Sequence, residues 1–180
     1  MFLASKVEEI FVPSISDFVY ITDDAYTGVE IRHMELKILS TLDFDLGMPI
    51  SLNFLRRFSK AGDVDVLQHS LAKFILEMGL LEYNFRSYSP SKLAAAALYL
   101  SLILTEDESL GLWSLNLQYY SKYESSDLHE LVENMARVIS SSESSKLQAV
   151  RNKYSSTKFM KVATLPHIKS ALSRVNSIRL

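Results

Sequence analysis

The sequence predicts an all-α protein, and three observations support this fold class. Apolar residues recur at steps of three or four, which places them on one face of a helix. Such stretches are Ile31, Met34, Ile38 and Leu42; Leu67, Leu71, Phe74, Met78 and Leu81; and Leu128, Val132, Met135 and Ile139. All four prolines lie between these stretches, where a missing N–H group breaks no helix. No stretch shows convincingly the alternation of apolar and polar residues that is typical of a half-buried strand.

Signals for helix ends agree with this pattern. Thr27 and Glu30 fit a capping box, in which each side chain accepts a hydrogen bond from an otherwise unpaired backbone N–H. Asp63 is expected to cap a helix that begins at the next residue, and Ser89, which precedes a proline, is typical of a helix start. We predict helices near residues 1–10, 14–21, 27–42, 51–60, 64–84, 89–105, 114–120, 125–141 and 145–155.

The predicted helices fall into two groups. Residues 43–50 contain a glycine and a proline and form the best candidate for a domain boundary, and residues 106–111 are expected to form an acidic exposed loop. The helix at 89–105 has almost no polar face, since four consecutive alanines are followed by leucines and an isoleucine. A helix that is apolar on all sides belongs at the centre of a bundle. For residues 51–141 the sequence therefore predicts five helices, with the third surrounded by the others.

Composition limits the kinds of protein that fit. The 180 residues carry 19 basic and 21 acidic side chains, so nucleic acid and anionic membranes are not expected as main partners. The chain contains no cysteine, which excludes disulfides and thiolate metal sites and favours a reducing compartment. Its longest apolar run, residues 93–104, is too short to span a bilayer, which needs about 20 residues. We expect no secretory signal and an intracellular protein.

Patterns typical of enzymes are weak in this chain. Ser-x-x-Lys occurs three times, beginning at Ser70, Ser89 and Ser155, but without the companion motifs of acylating enzymes. The four histidines are widely separated, and no glycine-rich phosphate loop is present, so neither a metal nor a nucleotide cofactor is expected. Aromatic residues near the predicted 114–120 helix are expected to pack against it: Trp113, Tyr119, Tyr120 and Tyr123.

Several segments together resemble one protein family. They are residues 1–10 (MFLASKVEEI), 17–27 (DFVYITDDAYT), 32–39 (RHMELKIL), 54–74 (FLRRFSKAGDVDVLQHSLAKF) and 151–163 (RNKYSSTKFMKVA). Their order and content resemble the B-type, or mitotic, cyclins. The resemblance implies that residues 1–46 are the third to fifth helices of a first cyclin box, residues 51–141 a complete second box, and residues 142–180 a C-terminal helix and tail. Counterparts of the first two helices of the first box are not expected in this sequence.

The resemblance also implies a kinase-binding site. In the family, a lysine and a glutamate at the positions of Lys6 and Glu35 bond backbone groups beside the kinase helix that carries the catalytic glutamate. Charge-assisted bonds of this kind are stronger and more directional than neutral ones. The alternative is a local pair between Lys6 and Glu9 on one helix, which stabilises a helix by only a few tenths of a kcal/mol.

Apolar positions complete the implied site. These are the residues that resemble the face on which cyclins seat the kinase helix: Leu3, Val7, Leu39, Phe44 and Leu46. The alternative is that they are ordinary core residues, as most apolar residues at helical spacing are. Val7 lies where relatives often have an aromatic residue, which could weaken the contact.

The resemblance implies a regulatory subunit without catalytic activity of its own. Such a subunit binds a cyclin-dependent protein kinase as a heterodimer, activates it and controls the G2/M transition in the nucleus and cytoplasm. No cofactor, small-molecule substrate, nucleic acid or membrane is implied. Two alternatives stay open: a kinase-binding remnant that does not activate its partner, and a nucleic-acid-binding module of the kind found in transcription factors with the same fold.

Overall fold

The computed structural model describes residues 1–47, 49–105 and 113–165, and all its regular elements there are helical. The predicted all-α class is therefore confirmed. The predicted acidic loop at 106–111 lies outside the described residues. The chain divides into two compact units, Met1–Met48 and Pro49–Leu180.

The first unit contains three short helices, α1 (Phe2–Glu8), α2 (Ile15–Ile21) and α3 (Gly28–Thr41). The predicted capping box at the start of α3 is present: Thr27 Oγ1 accepts from the Glu30 N–H, and Glu30 accepts from the Thr27 N–H at 2.8 Å. None of residues 1–47 is buried. Because burial of apolar side chains is the main favourable term in folding, this unit has little core of its own.

The second unit is built around one central helix. Its α-helices are α4 (Ser51–Ala61), α5 (Val66–Gly79), α6 (Pro90–Thr105), α7 (Leu115–Ser121), α8 (Ser125–Ser141) and α9 (Ala149–Tyr154). Helix α6 contacts α4, α5, α7 and α8, and its residues 94–98 are completely inaccessible to solvent. The small alanine side chains let neighbouring helices approach closely. The predicted five-helix arrangement with the third helix at the centre is confirmed.

The helix predicted at 64–84 is shorter in the structure. Asp65, and not Asp63, caps it through a capping box with Gln68, while Asp63 has a left-handed backbone (φ 50°). The helix ends at Gly79 because the chain then turns to bury Phe85 in the core. A Cβ atom at Gly79 would lie 3.3 Å from the Phe85 ring, so glycine leaves room for this aromatic side chain.

The last helix is also shorter than the predicted 145–155. The Gln148 side-chain amide donates to the backbone carbonyls of Ser142 and Ser145, at 2.9 and 2.6 Å, and holds the preceding segment in a turn. Helix α9 packs against α5 and completely buries Tyr154. In the described part of the chain, no helix has the length and apolar character needed to cross a membrane.

Candidate functional site

Lys6 and Glu35, each predicted as a kinase-binding residue, bond each other in the structure. Lys6 lies in the last turn of α1 and Glu35 in the middle of α3, and Lys6 Nζ donates to Glu35 Oε1 at 2.6 Å. The Glu35 side chain is 14% exposed and that of Lys6 is 43% exposed. Lys6 Nζ also lies 4.2 Å from the centre of the Phe2 ring, a cation–π contact on its own helix. The local alternative, a pair between Lys6 and Glu9, is not formed, and the bond joins two helices instead.

Elements on both sides hold this pair in place. The Phe2 ring packs edge-on against Phe18 of α2, with ring centres 5.2 Å apart, which fixes α1 against α2. Helix α2 in turn packs against α3, where a Cβ atom at Gly28 would lie only 3.0 Å from Cγ2 of Ile15. A glycine at this position therefore allows the close approach of the two helices.

An apolar groove of about 560 Å³ adjoins the pair. Leu3 lines it from α1, together with Phe2, and Glu35 itself contributes to its wall. Helix α3 contributes three apolar and three polar residues to the groove: Ile31, Met34 and Ile38, and Glu30, His33 and Glu35. The groove thus combines an apolar surface with two carboxylates, those of Glu30 and Glu35, and with the nearby ammonium group of Lys6.

The remaining predicted residues do not line this groove. Leu39 follows Glu35 by one helical turn and is half-buried, while Val7, Phe44 and Leu46 are exposed. Phe44 is 65% exposed and has a left-handed backbone (φ 58°), and its N–H bonds the Leu39 carbonyl at 2.9 Å. A left-handed backbone is unusual for a bulky residue and costs of order 1 kcal/mol. None of the predicted apolar residues is buried core in this unit.

Sequence reasoning missed part of the groove. Ile31, Met34 and Ile38 were recognised as one helical face, but such a face is ordinarily turned to the core. In the structure they line the groove, and Met34 and Ile38 are exposed. Their spacing of three and four residues indicates that they share one helix face. It does not indicate whether that face packs against the core or lines a groove.

This arrangement can recognise a helix that has backbone groups free near one end. An apolar groove accommodates the apolar face of an amphipathic helix. An ammonium group offers three donors and a carboxylate about four acceptor sites, so Lys6 and Glu35 retain bonding capacity beyond their mutual bond. Within the described ranges, no group of three or more histidine, aspartate or glutamate residues is placed to bind a metal ion.

Comparison with known proteins agrees with this fold. The family profile "Cyclin, N-terminal domain" matches residues 1–47, and "Cyclin, C-terminal domain" matches residues 49–168. The chain is 48% identical to "G2/mitotic-specific cyclin-B" of Patella vulgata over 170 residues, which is 94% of this chain and 41% of that protein. It is 48% identical to "G2/mitotic-specific cyclin-B2" of Homo sapiens over 172 residues (94% and 42%), and 46% identical to "G2/mitotic-specific cyclin-B" of Hydra vulgaris over 169 residues (94% and 46%).

The chain therefore spans less than half the length of these relatives. The helical arrangement of the second unit, with α6 at its centre, is the cyclin fold that the resemblance implies. The N-terminal profile matches residues 1–47 and the C-terminal profile follows it at residues 49–168. The chain belongs to the cyclin family and resembles its B-type members.

Proposed function

We propose that this chain binds a cyclin-dependent protein kinase through the surface formed by α1 and α3, and regulates that kinase at the G2/M transition. Family membership and the printed names of its relatives support the type of partner and the stage of the cell cycle. The geometry supports the location, because the pair Lys6–Glu35 adjoins an apolar groove on the unit that matches the N-terminal cyclin domain.

The pair Lys6–Glu35 is the observation that carries the proposal. Its 2.6 Å bond joins two helices and leaves Lys6 partly exposed. An exposed ion pair contributes only about 0–1 kcal/mol to stability, so stability alone is a weak reason for this pair. Two charged groups fixed beside an apolar groove are well suited to bond the backbone of a docked helix.

Binding regulates the kinase by shifting its population. A kinase is active only when the ion pair between its catalytic lysine and the glutamate of its regulatory helix is in place. A partner that binds this arrangement more tightly than the inactive one favours it in proportion to the difference in affinity. A shift from 1% to 99% active requires about a 10⁴-fold difference in affinity.

A charge exchange separates this role from a purely structural one. The variant Lys6→Glu with Glu35→Lys can re-form the ion pair within the chain but presents reversed charges to the kinase. We expect its affinity for a monomeric cyclin-dependent kinase, measured by calorimetry, to fall at least about tenfold, a loss of ~1.4 kcal/mol or more. Its helical circular dichroism and melting curve should match those of the unmodified chain.

The matched control exchanges a second ion pair. Glu133 and Arg137 of α8 pair at 3.3 Å on an exposed helix face. The exchange Glu133→Arg with Arg137→Glu should change kinase affinity less than twofold. Full affinity of the Lys6/Glu35 exchange variant would contradict the proposed surface.

Activation is measured separately from binding. The first unit buries none of its described residues, so little internal packing fixes α1 and α3 in position. A surface that is weakly fixed holds a kinase helix less firmly in its active position. This observation favours the alternative of a partner that binds without activating. Phosphorylation of a peptide substrate by the saturated complex decides between the two: activity above that of the free kinase supports activation, and activity equal to it supports the binding remnant.

A further inference from the structure

Two tyrosines of α7 are on the surface, contrary to the expectation that they pack against the fold. Trp113 and Tyr123 are packed as expected, and Trp113 Nε1 donates to the Tyr123 carbonyl at 2.9 Å. Tyr119, however, is 66% exposed and Tyr120 is 46% exposed. Leu115, one turn before Tyr119, is 80% exposed. The outward face of α7 is therefore apolar and aromatic.

Two cations flank these rings, and the cations and rings together form a continuous row. The Arg57 guanidinium of α4 lies 5.8 Å from the centre of the Tyr120 ring. The Tyr120 and Tyr119 rings meet edge to face, with centres 5.3 Å apart at 90°. Lys122 Nζ lies 4.3 Å from the centre of the Tyr119 ring. We call Arg57, Leu115, Tyr119, Tyr120 and Lys122 the aromatic patch.

Among the described residues, no carboxylate forms an ion pair with Arg57 or Lys122. Among the described residues, ion pairs within 4.0 Å involve other cations: Lys6, Arg137, Arg151 and Lys153. Arg57 and Lys122 instead lie over aromatic rings, which attract a cation by only about 0.5–1 kcal/mol at exposed sites. With respect to the described residues, both groups can still bind an anion.

The backbone at Lys122 is also unusual. Lys122 follows the last turn of α7 and has a left-handed conformation (φ 66°), a position that glycine or asparagine usually occupies. From this position the Lys122 side chain extends over the Tyr119 ring.

We propose that the aromatic patch binds a short acidic peptide of a partner protein that carries an apolar side chain between its carboxylates. The carboxylates bond Arg57 and Lys122 at the two ends of the row, and the apolar side chain lies against the tyrosine rings and Leu115. At ~3.3 Å per residue, an extended segment of about five residues covers such a row. The patch is on the second unit, and this proposal does not depend on the kinase-binding surface.

Charge complementarity favours an acidic peptide over a single-stranded nucleic acid. Nucleic-acid sites combine stacking rings with a positive groove that follows many phosphates. Here, in the part of the chain that the structure describes, two cations lie over the rings, and the formal charge of the chain is −2. Arg57 and Lys122 can neutralise two carboxylates, which matches a short peptide.

Selection from a displayed library of random ten-residue peptides tests the proposal on the full chain. The unmodified chain should enrich peptides that have net negative charge and an aromatic or aliphatic residue between acidic ones. Synthetic copies, measured by fluorescence anisotropy, should bind at least about tenfold more weakly to Arg57→Gln/Lys122→Gln and to Tyr119→Ser/Tyr120→Ser. Raising the salt concentration should weaken binding, since exposed charges are screened.

The control removes a comparable exposed contact elsewhere in the same unit. Arg86 lies 4.1 Å from the centre of the exposed Tyr83 ring, and Tyr83→Ser/Arg86→Gln should change peptide affinity less than twofold. Melting curves of all variants should coincide with that of the unmodified chain. The proposal is overturned if neutral or basic peptides are enriched, if the patch variants bind the selected peptides equally well, or if a labelled single-stranded 12-mer DNA binds the patch more tightly.

Discussion

Replacing Tyr154 with phenylalanine tests how the C-terminal helix α9 is fixed to the fold. Tyr154 is completely buried, and its hydroxyl donates to Glu77 Oε1 of α5 at 2.6 Å. Its ring packs between Phe74 and Phe159, with ring centres 5.5 and 4.7 Å away. Phenylalanine keeps these ring contacts and removes only the hydrogen bond.

The size of the effect follows from the partner of the hydroxyl. A hydrogen bond to a charged group contributes about 1.5–3 kcal/mol. Glu77 keeps both bonds from Lys153 Nζ, at 2.8 and 2.7 Å, so its carboxylate is not left unpaired in the variant. We therefore expect the lower end of the range, a loss of about 1.5 kcal/mol, and a melting temperature about 5 °C lower.

Urea denaturation followed by circular dichroism measures this loss, and a second tyrosine provides the control. The Tyr123 hydroxyl contacts two neutral groups, Ser89 Oγ at 3.1 Å and Ser91 Oγ at 2.9 Å. Tyr123→Phe should therefore cost less, ~0.5–1.5 kcal/mol. If Tyr154→Phe destabilises the protein no more than Tyr123→Phe does, the bond to Glu77 does not have the assigned role.

The same hydroxyl predicts a pH dependence. Burial, followed by the hydrogen bond and negative charge of Glu77, raises the pKa of Tyr154 well above its usual value. The folded state therefore favours the neutral phenol, and this contribution is fully present below the unfolded pKa of about 10. As the pH rises above about 10, the contribution is lost, because the unfolded tyrosine ionises first. Above about pH 10, the difference in the free energy of unfolding between the unmodified chain and Tyr154→Phe should therefore become smaller. A difference that stays constant up to pH 11.5 would refute the role assigned to the Tyr154 hydroxyl.

Two further predictions concern the unequal cores of the two units. Limited proteolysis should cut residues 1–46 well before residues 51–141. The reason is that the first unit buries none of its described residues, whereas α6 is surrounded by other helices. Equal rates of cleavage in the two regions would contradict this prediction. Leu98→Ala in the centre of α6, where the side chain is inaccessible, should cost about 2–5 kcal/mol in urea denaturation, against less than ~1 kcal/mol for the exposed Leu80→Ala.

Local signals predicted the start of α3 but not the end of α5. The capping box at Thr27 was recognised because both of its hydrogen bonds lie within four consecutive residues. The end of α5 at Gly79 was not predicted, since apolar residues continue at helical spacing as far as Leu81. The helix stops because Phe85 fills the core beside Gly79, and a contact of that kind depends on the neighbouring helices.

The candidate site shows the same limit. Spacing alone favoured a pair between Lys6 and Glu9, which are three residues apart, and the resemblance to cyclins supplied Lys6 and Glu35 as site residues. Their 2.6 Å bond requires α1 and α3 to meet, and no pattern within either helix contains that information. The exposure of Tyr119 and Tyr120 was missed for a similar reason, because an aromatic residue at helical spacing is ordinarily packed.

The sequence by itself determined the all-α class, the central position of α6 and most helix bounds. These features depend on periodicity and capping, which act within one or two helical turns. Tertiary structure alone decided that Lys6 bonds Glu35 beside an apolar groove, and that Tyr119 and Tyr120 meet Arg57 and Lys122 at the surface. Such contacts depend on which helix faces meet, and the packing of the whole chain sets that.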